Sequence, residues 1–459
     1  MYDMRDKRVL VVGLARSGMA VAQAALSQGA VISGYDIRPI SDIDAQAQNI
    51  FKASGGRLFL GGEEPYENER WDLIVMSPGV PPDLPFLINA ANNGAELIGE
   101  IELAWRLSKA RFVAITGTNG KTTTTALTGE IFQNSGRTVR IVGNIGIPVI
   151  SEVLDVSMDE SAWLVTEVAS LQLETINGFR PTISALLNIT PDHLDRFHTM
   201  ENYIAAKARI IENQQADDFF IINMDDPLAW ALTGECKARV VPFSSKKALD
   251  YGAFIRDEWI VFKDEYGFIT EFCMTGDLRI LGRHNQENAL AATAIAFTAG
   301  ISAQVIGDTL KSFRGVEHRL EQVEIIKGVR YVNDSKGTNV DAAIKAIEAT
   351  QPGIILIAGG YDKHATFDSF INAFQGKVKH LLLLGTTAQQ IKSTALSMGF
   401  TQITLCENMK ECVCLGYKLA SPGDTVLLSP ACASWDMYTC FEERGGDFKK
   451  CVAELDKME

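Results

Sequence analysis

A loop near residue 120 has the residue types and spacing of a phosphate-binding site. It reads Thr-Gly-Thr-Asn-Gly-Lys-Thr over 116–122, follows an apolar strand predicted over 112–115, and opens a predicted helix. Gly117 and Gly120 allow backbone N–H groups to turn toward an anion, and Lys121 supplies a positive charge. The hydroxyl that follows the lysine is of the kind that reaches Mg²⁺. The pattern favours a nucleoside triphosphate site over a turn whose glycines serve geometry alone.

Two other polar residues stand near the ends of predicted strands in the same part of the chain. Glu167 ends the apolar run 163–166, where an acid can hold a metal ion or be solvated. His193 is flanked by Asp192 and Asp195 and could bind metal, orient a carboxylate or cap a helix. The residues themselves leave these alternatives open.

Three further residues could be functional or be ordinary structural residues. Lys207 lies in a predicted helix over 203–212 with few polar neighbours, which by itself favours a surface lysine with an exposed ammonium. Asn285 could hydrogen-bond an adenine edge or cap the helix predicted over 285–298. Arg319 follows a predicted domain junction near 313–316 and could reach a phosphate across an interdomain cleft.

The last third of the chain has three polar loops, each after a predicted strand. They read Asn333-Asp-Ser-Lys-Gly-Thr-Asn339, Gly359-Gly-Tyr-Asp-Lys363 and Ser429-Pro-Ala-Cys-Ala-Ser-Trp-Asp436. Loops at the carboxyl ends of parallel strands converge on one crevice. Lysines and hydroxyls together suit a small dicarboxylate. The side chains expected to meet there are Lys336, Thr338, Lys363 and Ser434.

The elements that must position these residues form three α/β blocks. The first is a strand over 9–12, a glycine turn, a helix through Ser27 and a strand over 31–35 that ends in Asp36. It is close to a dinucleotide-binding unit, but Ala15 replaces the second glycine. A further strand leads into the loop that ends at 80. We predict an α/β fold with three domains: an N-terminal Rossmann-like domain over 1–99, a central P-loop ATPase domain over 100–315, and a C-terminal Rossmann-like, doubly wound domain over 316–459.

The later blocks alternate strands with helices, which indicates parallel sheets. Short strands between 240 and 281 predict a small antiparallel addition. The strands predicted in the central block cover 163–166, 183–188 and 219–223, and those in the last block cover 330–333, 353–358, 380–384, 402–406 and 425–428.

Composition narrows the class of protein. The chain has 459 residues and a formal charge of -14, which argues against a nucleic-acid-binding surface. Its apolar runs are shorter than the roughly 18 residues of a membrane span, so we expect a soluble, cytoplasmic protein without a membrane partner. Its 8 cysteines lack C-x-x-C spacing, which favours reduced cysteines over structural zinc.

Four motifs together resemble the Mur ligases of peptidoglycan synthesis. They are Gly117-Thr-Asn-Gly-Lys-Thr-Thr, Asn188-Ile-Thr-Pro-Asp-His-Leu-Asp, Asn333-Asp-Ser-Lys-Gly-Thr-Asn and Leu428-Ser-Pro-Ala-Cys-Ala-Ser. The resemblance spans essentially the whole chain. It implies a monomeric, ATP- and Mg²⁺-dependent ligase, with two magnesium sites, that joins D-glutamate to UDP-N-acetylmuramoyl-L-alanine through an acyl phosphate. The first domain would bind the UDP end of the substrate, and the last would bind the amino acid.

The resemblance also implies roles for individual residues. Lys207 matches a lysine that reacts with CO₂ to form a carbamate, which turns a cation into an oxygen ligand. Lys121, His193 and Lys207 would be catalytic, and the metal ligands would be Thr122, Glu167, His193 and carbamylated Lys207. Expected ATP contacts are Gly117, Thr118, Asn119, Gly120, Lys121, Thr122, Thr123, Asn285, Arg319, Asp334 and Lys336. Expected substrate contacts are Leu14, Ala15, Arg16, Ser17, Asp36, Ile37, Arg38, Ser77, Gly79, Asn144, Gln172, Thr338, Lys363, Ser434 and Phe441.

Two departures from the family pattern and three rival functions accompany this interpretation. Ala169 stands where relatives often have serine, and Ile37 where threonine is common. A folylpolyglutamate synthase would also join glutamate to a carboxylate, but it should lack the UDP-binding block. A nicotinamide-dependent dehydrogenase is disfavoured by Ala15 and by the Gly-Lys-Thr loop. A non-catalytic nucleotide switch would leave the lysines of the last block without a substrate.

Overall fold

The computed structural model describes residues 2–43, 45–65, 69–144, 147–280, 282–361 and 366–455. The chain divides into two compact units. The first comprises the residues up to Leu278 together with Arg283–Phe313, and the second comprises 279–282 and the chain from Arg314 onward. The three domain boundaries predicted from the sequence stay predictions.

The first sheet is five-stranded and wholly parallel in the described residues, with order β3-β2-β1-β4-β5. Its strands are short and almost entirely apolar, as expected where helices cover both faces. The strands are β1 (Arg8–Val12), β2 (Val31–Asp36), β3 (Leu58–Leu60), β4 (Leu73–Met76) and β5 (Glu96–Gly99). The helices are α1 (Arg16–Ser27), α2 (Ala45–Ala53), α3 (Pro85–Asn92) and α4 (Glu100–Leu107).

The second sheet is nine-stranded in the described residues, with order β14-β13-β12-β11-β10-β9-β6-β8-β7. The predicted antiparallel addition is present as β12 to β14, which extend an otherwise parallel sheet. The strands are β6 (Arg111–Thr116), β7 (Val139–Gly143), β8 (Trp163–Glu167), β9 (Ile183–Leu186), β10 (Phe219–Asn223), β11 (Arg239–Ser244), β12 (Gly252–Arg256), β13 (Trp259–Lys263) and β14 (Ile269–Met274). The helices are α5 (Lys121–Asn134), α6 (Ser170–Leu173), α7 (Leu194–Phe197), α8 (Met200–Ala208), α9 (Pro227–Trp230), α10 (Arg283–Thr298) and α11 (Ala303–Ser312).

The third sheet, in the second unit, has order β15-β16-β20-β17-β18-β19. It is parallel except for the antiparallel edge pair β15–β16. The strands are β15 (Glu321–Ile326), β16 (Val329–Asn333), β17 (Ile354–Ala358), β18 (Val378–Leu383), β19 (Ile403–Leu405) and β20 (Thr425–Leu428). The helices are α12 (Val340–Ala349), α13 (Asp368–Asn372), α14 (Ala388–Ser397), α15 (Met409–Leu419) and α16 (Phe441–Leu455).

Two buried carboxylates join the first sheet to the second. Strand β5 ends at Gly99 and helix α4 begins at the next residue, Glu100. Glu100 Oε1 accepts a hydrogen bond of 2.7 Å from Ile150 N, and burial raises the pKa of its carboxyl to about 7. Glu102, in the same helix, accepts from the backbone N–H groups of residues 177–179 and from Arg106 Nε. A single hydrophobic cluster contains side chains of both sheets, from Val9 to Phe220.

Most predicted elements are confirmed, with small shifts at their ends. The helix predicted over 203–212 begins earlier, at Met200, ends at Ala208 and continues as a 3-10 helix over Arg209–Ile211. The strand predicted over 183–188 ends at Leu186, because the backbone beyond it pairs with the phosphate loop. The eight cysteines are free. Within the described ranges, no helix is long and apolar enough to cross a membrane.

Candidate active site

The predicted phosphate loop connects β6 to α5 in the geometry that its glycines require. Gly117 has φ of +152° and Gly120 has φ of +84°, both in the region that favours glycine. A Cβ added at Gly120 would also collide with Asn288 Oδ1. Thr122 and Thr123 are buried in the first turn of α5. The first-turn N–H groups and the positive end of a 14-residue helix therefore lie at this loop.

Asn188 and Thr190 hold the loop from the neighbouring strand end. Asn119 N donates to Asn188 Oδ1 at 2.8 Å, and Asn188 Nδ2 donates back to Asn119 O at 3.1 Å. Thr118 Oγ1 donates to Thr190 O and accepts from Thr190 N. Sequence reasoning placed Asn188 in a motif but gave it no role. A polar residue just beyond an apolar strand, next to a glycine loop, is the signal that could have found it.

Two lysines converge on one carbonyl oxygen. Lys121 Nζ and Lys207 Nζ each donate to Gly117 O at 2.9 Å, and Lys121 Nζ also donates to Thr118 O at 3.0 Å. Lys207 is 1% exposed and lies 4.7 Å from the centroid of the Tyr203 ring. Burial, with the nearby Lys121 charge, lowers the pKa of the Lys207 amine from 10.5 to about 7. The surface-lysine interpretation of Lys207 is therefore wrong, because the side chain packs under the phosphate loop.

Glu167 presents an unsatisfied carboxylate oxygen. The residue is 2% exposed and ends β8, which pairs with β6 beside the phosphate loop. Asn144 Nδ2 donates to Glu167 Oε1 at 3.0 Å, whereas Glu167 Oε2 is buried without a hydrogen-bond partner. A buried anionic oxygen without a donor is costly unless a cation or another group satisfies it. The geometry fits a ligand to a divalent cation at this position.

His193 and Gln172 lie at helix starts nearby. His193 precedes α7 with φ of +52°, and its side chain makes no capping hydrogen bond there. Its imidazole is about half exposed and lies 3.7 Å from Asp192 Oδ2. Gln172 Oε1 accepts from Ala169 N at 2.9 Å, so this side chain caps the start of α6. His193 thus stands at the N-cap position of α7 without a side-chain capping hydrogen bond, and its metal-binding role stays a prediction.

Asn288, which is hydrogen-bonded to Asn285, links helix α10 to helix α5. Helix α10 begins at Arg283, so Asn285 lies inside its first turn and the N-cap interpretation is wrong. Asn288 Nδ2 donates to Asn285 Oδ1 at 3.0 Å, and Thr124 Oγ1 donates to Asn288 Oδ1 at 3.2 Å. Asn288, which sequence reasoning did not select, thus connects α10 to α5. Two asparagines one helical turn apart are the signal that was available for it.

The first sheet carries an anchored acid at the carboxyl end of β2. Asp36 is buried, and its Oδ2 accepts a hydrogen bond of 2.7 Å from Leu14 N in the turn between β1 and α1. Arg38 donates to both carboxylate oxygens, which lowers the pKa of Asp36 to about 2. Ser77 Oγ donates to Gly13 O at 2.8 Å, which places the β4 loop against the same turn. Of the other predicted contacts here, Ala15, Arg16, Ile37 and Gly79 are exposed and Ser17 is partly exposed.

In the second unit, predicted residues gather where β16 and β20 end. Asp334 Oδ2 accepts from Ser429 Oγ at 2.7 Å, and burial raises the pKa of this carboxyl to about 6. Lys336 Nζ lies 5.8 Å from the centroid of the Phe441 ring. Ser434 is buried in the loop after β20. Lys363 lies outside the described residues. Thr338 and Arg319 are half-buried, the first just before α12 and the second beside the Asp334 loop.

Three family models match the chain along its length. The Mur ligase MurD-like N-terminal domain matches residues 7–99, the Mur ligase middle domain matches 115–296, and the Mur ligase glutamate ligase domain matches 318–432. These spans contain the Asp36 turn, the phosphate loop and the Asp334 loop, respectively.

Full-length relatives and solved structures agree with these matches. The chain is 49% identical to the UDP-N-acetylmuramoylalanine--D-glutamate ligase of Thermoanaerobacter sp. (strain X514), over 99% of each sequence. It is 46% identical to the ligase of the same name from Clostridioides difficile (strain 630), over 99% of this chain and 100% of the relative. A pseudomurein peptide ligase type C from Methanothermus fervidus has a similar fold, with a TM-score of 0.57 at 19% identity, covering 99% of this chain and 100% of that one. A MurF ligase from Thermotoga maritima in complex with ADP gives a TM-score of 0.55 at 16% identity, covering 86% and 97%. The matched spans include the phosphate loop, the buried Lys207 and the unsatisfied carboxylate of Glu167. The chain therefore belongs to the Mur ligase family.

Proposed function

We propose that this chain uses ATP to join D-glutamate to UDP-N-acetylmuramoyl-L-alanine in the cytoplasmic synthesis of peptidoglycan precursors. The observation that carries the proposal is the full-length similarity, at 49% identity, to ligases named for this reaction. The phosphate loop supports it, because Lys121 and the first turn of α5 suit a transferring phosphoryl group.

The reaction proceeds in two steps. The carboxylate of UDP-N-acetylmuramoyl-L-alanine attacks the γ-phosphorus of ATP, the bond to the β–γ bridging oxygen breaks, and ADP leaves. The D-glutamate amine then attacks the acyl carbon of the acyl phosphate, and phosphate leaves as the amide forms and the amine loses a proton. Lys121 offsets the repulsion between the two anions of the first step, and the loop backbone orients the phosphates. We assign His193 to orienting the attacking carboxylate or to metal binding.

We assign the metal ligands to Thr122, Glu167, His193 and a carbamate on Lys207. The unsatisfied Glu167 Oε2 and the lowered pKa of Lys207 support this set. A neutral amine is the form that attacks CO₂, and a pKa of about 7 keeps about half of it neutral at pH 7. Magnesium at two such sites would neutralise charge on the transferring phosphoryl group.

We assign the remaining substrate contacts according to the roles of the three domains in this family. We assign the UDP end of the substrate to the Asp36 turn and the β4 loop, and its muramoyl end to Asn144 and Gln172. Asn285, Arg319, Asp334 and Lys336 would contact the adenine nucleotide. Thr338, Lys363, Ser434 and Phe441 would hold D-glutamate, with the chain acting as a monomer. The three domains would cover 1–99, 100–315 and 316–459.

Phosphate release from ATP tests the proposal. With UDP-N-acetylmuramoyl-L-alanine and Mg²⁺ present, D-glutamate should stimulate release, and L-glutamate and other amino acids should not. Incubation with a folate and glutamate tests the folylpolyglutamate synthase alternative, and oxidation of a reduced nicotinamide cofactor tests the dehydrogenase. Release that is indifferent to the amino acid, or stimulated only by a folate, would exclude the proposed acceptor and donor.

A further inference from the structure

Arg444 is a buried arginine to which neither the sequence nor the proposed mechanism assigned a role. It lies in the first turn of α16, three residues after Phe441, and 2% of its surface is exposed. Arginine is among the residues least often fully buried, since a buried guanidinium must recover from protein oxygens the hydrogen bonds it loses to water. The identity of those oxygens indicates what this side chain does.

The guanidinium binds two of the three polar loops at once. On the loop after β16, Arg444 Nη2 donates to Ser335 O at 2.9 Å and Nε donates to Ser335 Oγ at 3.0 Å. On the loop after β20, Nη1 and Nη2 both donate to Cys432 O at 3.1 Å, and Nη1 donates to Ala433 O at 3.2 Å. A planar fork of donors can satisfy acceptors on two segments in one fixed arrangement.

The third polar loop, which follows β17, also packs against the Arg444 guanidinium. Gly360 follows β17, and a Cβ added there would lie 3.2 Å from Arg444 Nη1 and would collide with Ala433 O. Tyr361 N donates to Ala433 O at 2.9 Å, so this loop also pairs with the loop after β20. The ends of β16, β17 and β20 therefore meet at one guanidinium.

The buried carbonyl groups of these loops need the Arg444 guanidinium as their hydrogen-bond donor. Removing it would leave the buried carbonyls of Ser335 and Cys432 without these donors, which is costly for buried acceptors, and would leave Ala433 O with Tyr361 N as a donor. Burial lowers the pKa of Arg444 to about 10, so the group remains a cation at neutral pH. The carboxylates of Asp334 and Asp436 act on it electrostatically and favour its charged form.

We propose that Arg444 is a positioning residue that fixes the three strand-end loops of the second unit relative to one another, so that Ser434 and Phe441 stand at the spacing that the amino-acid substrate requires. Ser335 Oγ also donates to Phe441 O at 2.8 Å, which ties the start of α16 to the same loop. Because Arg444 is buried, it acts through these neighbours. The consequence for D-glutamate rests on the proposed function, whereas the fixing of the loops does not.

Arg444→Lys is the primary test, since it keeps a buried cation but replaces the fork with one ammonium that cannot reach all four acceptors. Misplacing binding groups by about 1 Å costs about 10²-fold in rate. We expect kcat/KM for D-glutamate to fall by about 10- to 100-fold, with the KM for the UDP-linked substrate within about twofold of wild type. An equal loss for the UDP-linked substrate, or no loss for D-glutamate, would overturn the proposal.

The same unit offers a matched control. Lys377 Nζ donates to three backbone carbonyls, those of Ile347, Glu348 and Thr350, but it precedes β18 at the opposite end of the sheet. Lys377→Met should lower the unfolding temperature without changing the KM for D-glutamate. Ser335→Ala, which removes one acceptor and keeps the arginine, should change the same kinetic parameter in the same direction by a smaller factor, and it replaces Arg444→Lys if that variant does not fold.

Amide hydrogen exchange separates this proposal from the proposed function, because it needs no substrate. In Arg444→Lys, exchange should accelerate in all three loops, at 333–338, 359–361 and 429–436. In Lys377→Met, it should accelerate near 347–350 instead. If exchange accelerates in the three loops of Arg444→Lys while D-glutamate does not stimulate phosphate release by the wild type, the positioning role stands and the proposed acceptor is rejected. Unchanged exchange in Arg444→Lys would reject the positioning role.

Discussion

Replacing Lys207 by methionine should stabilise the protein while it abolishes activity. The folded environment lowers the pKa of Lys207 from 10.5 to about 7, so charging this amine is harder in the folded chain than in the unfolded one. At about 1.36 kcal/mol per pKa unit, the charged amine destabilises the fold by about 5 kcal/mol below pH 7. Methionine has a similar length and removes this charge.

Losing the hydrogen bond of the Lys207 amine lowers the free energy of unfolding by less than removing the buried charge raises it. Lys207 Nζ donates to Gly117 O, and losing one such hydrogen bond costs about 1 kcal/mol. Lys121 Nζ donates to the same oxygen, so the carbonyl keeps a donor. We expect a net gain of about 2 to 4 kcal/mol at pH 6.5, or on the order of 5 to 10 °C in the melting temperature of the first unit.

The sign of the pH dependence follows from proton counts. Between about pH 7 and 10.5 the unfolded chain binds more protons at this site than the folded chain, so wild-type stability rises with pH. The penalty should therefore fall from about 5 kcal/mol at pH 6.5 to about 1.5 kcal/mol at pH 9.5, and the advantage of Lys207→Met should shrink with it.

Differential scanning calorimetry in CO₂-free buffers at these two pH values measures the effect. Lys247→Met, at an exposed lysine of the same unit, serves as the control and should leave the melting temperature within about 1 °C of wild type. The reasoning would be refuted if Lys207→Met melted below wild type at pH 6.5, or if its advantage were the same at both pH values. Near-normal ligase turnover in Lys207→Met would reject the carbamate role instead.

Three further substitutions test other parts of the site and the fold. Lys121→Ala should lower phosphate release by about 10²-fold or more, because one electrostatic stabiliser of the transferring phosphoryl group is lost; near-normal turnover would contradict this. Glu167→Gln should raise the Mg²⁺ concentration needed for half-maximal activity by about 10-fold or more while Asn144 keeps its acceptor, and an unchanged Mg²⁺ titration would remove Glu167 from the ligand set. Glu100→Gln should raise the melting temperature at pH 8 and not at pH 4, because the folded pKa of about 7 makes wild-type stability fall by about 3 kcal/mol as pH rises through 4.5 to 7; equal shifts at both pH values would count against it.

Local sequence patterns predicted the parts of the molecule that depend on neighbours in the chain. The phosphate loop was predictable because Gly117, Gly120 and Lys121 are close in sequence and each has a local geometric reason. The burial of Lys207 was not predictable from its helix, because the group that covers it, Gly117, is 90 residues away. Arg444 was missed for the same reason, since its partner Ser335 is 109 residues away and an arginine on a polar helix normally faces solvent.

The resemblance to the Mur ligases predicted a functional role for Lys207 that the pattern of its own helix did not predict. The lowered pKa of the Lys207 amine agrees with that role. The resemblance gave no role to Asn188 or Asn288, because an asparagine that positions a loop differs little in sequence from other polar residues. Their roles follow from the hydrogen bonds of Asn188 with Asn119 and of Asn288 with Thr124.

The direct passage from β5 into α4 has a consequence for how the chain folds as it is synthesised. The apolar face of the first sheet, which includes Val9 and Val11, shares its cluster with Ile150 and Phe179. At about 5 to 20 residues per second, residues 100–179 follow the first sheet out of the ribosome over roughly 4 to 16 seconds. During that interval the apolar side chains of the first sheet and its helices that pack against Ile150 and Phe179 lack these partners, and the Glu100 and Glu102 carboxylates lack the N–H groups that bind them in the native fold. The nascent N-terminal part therefore exposes apolar surface until the second sheet forms against it.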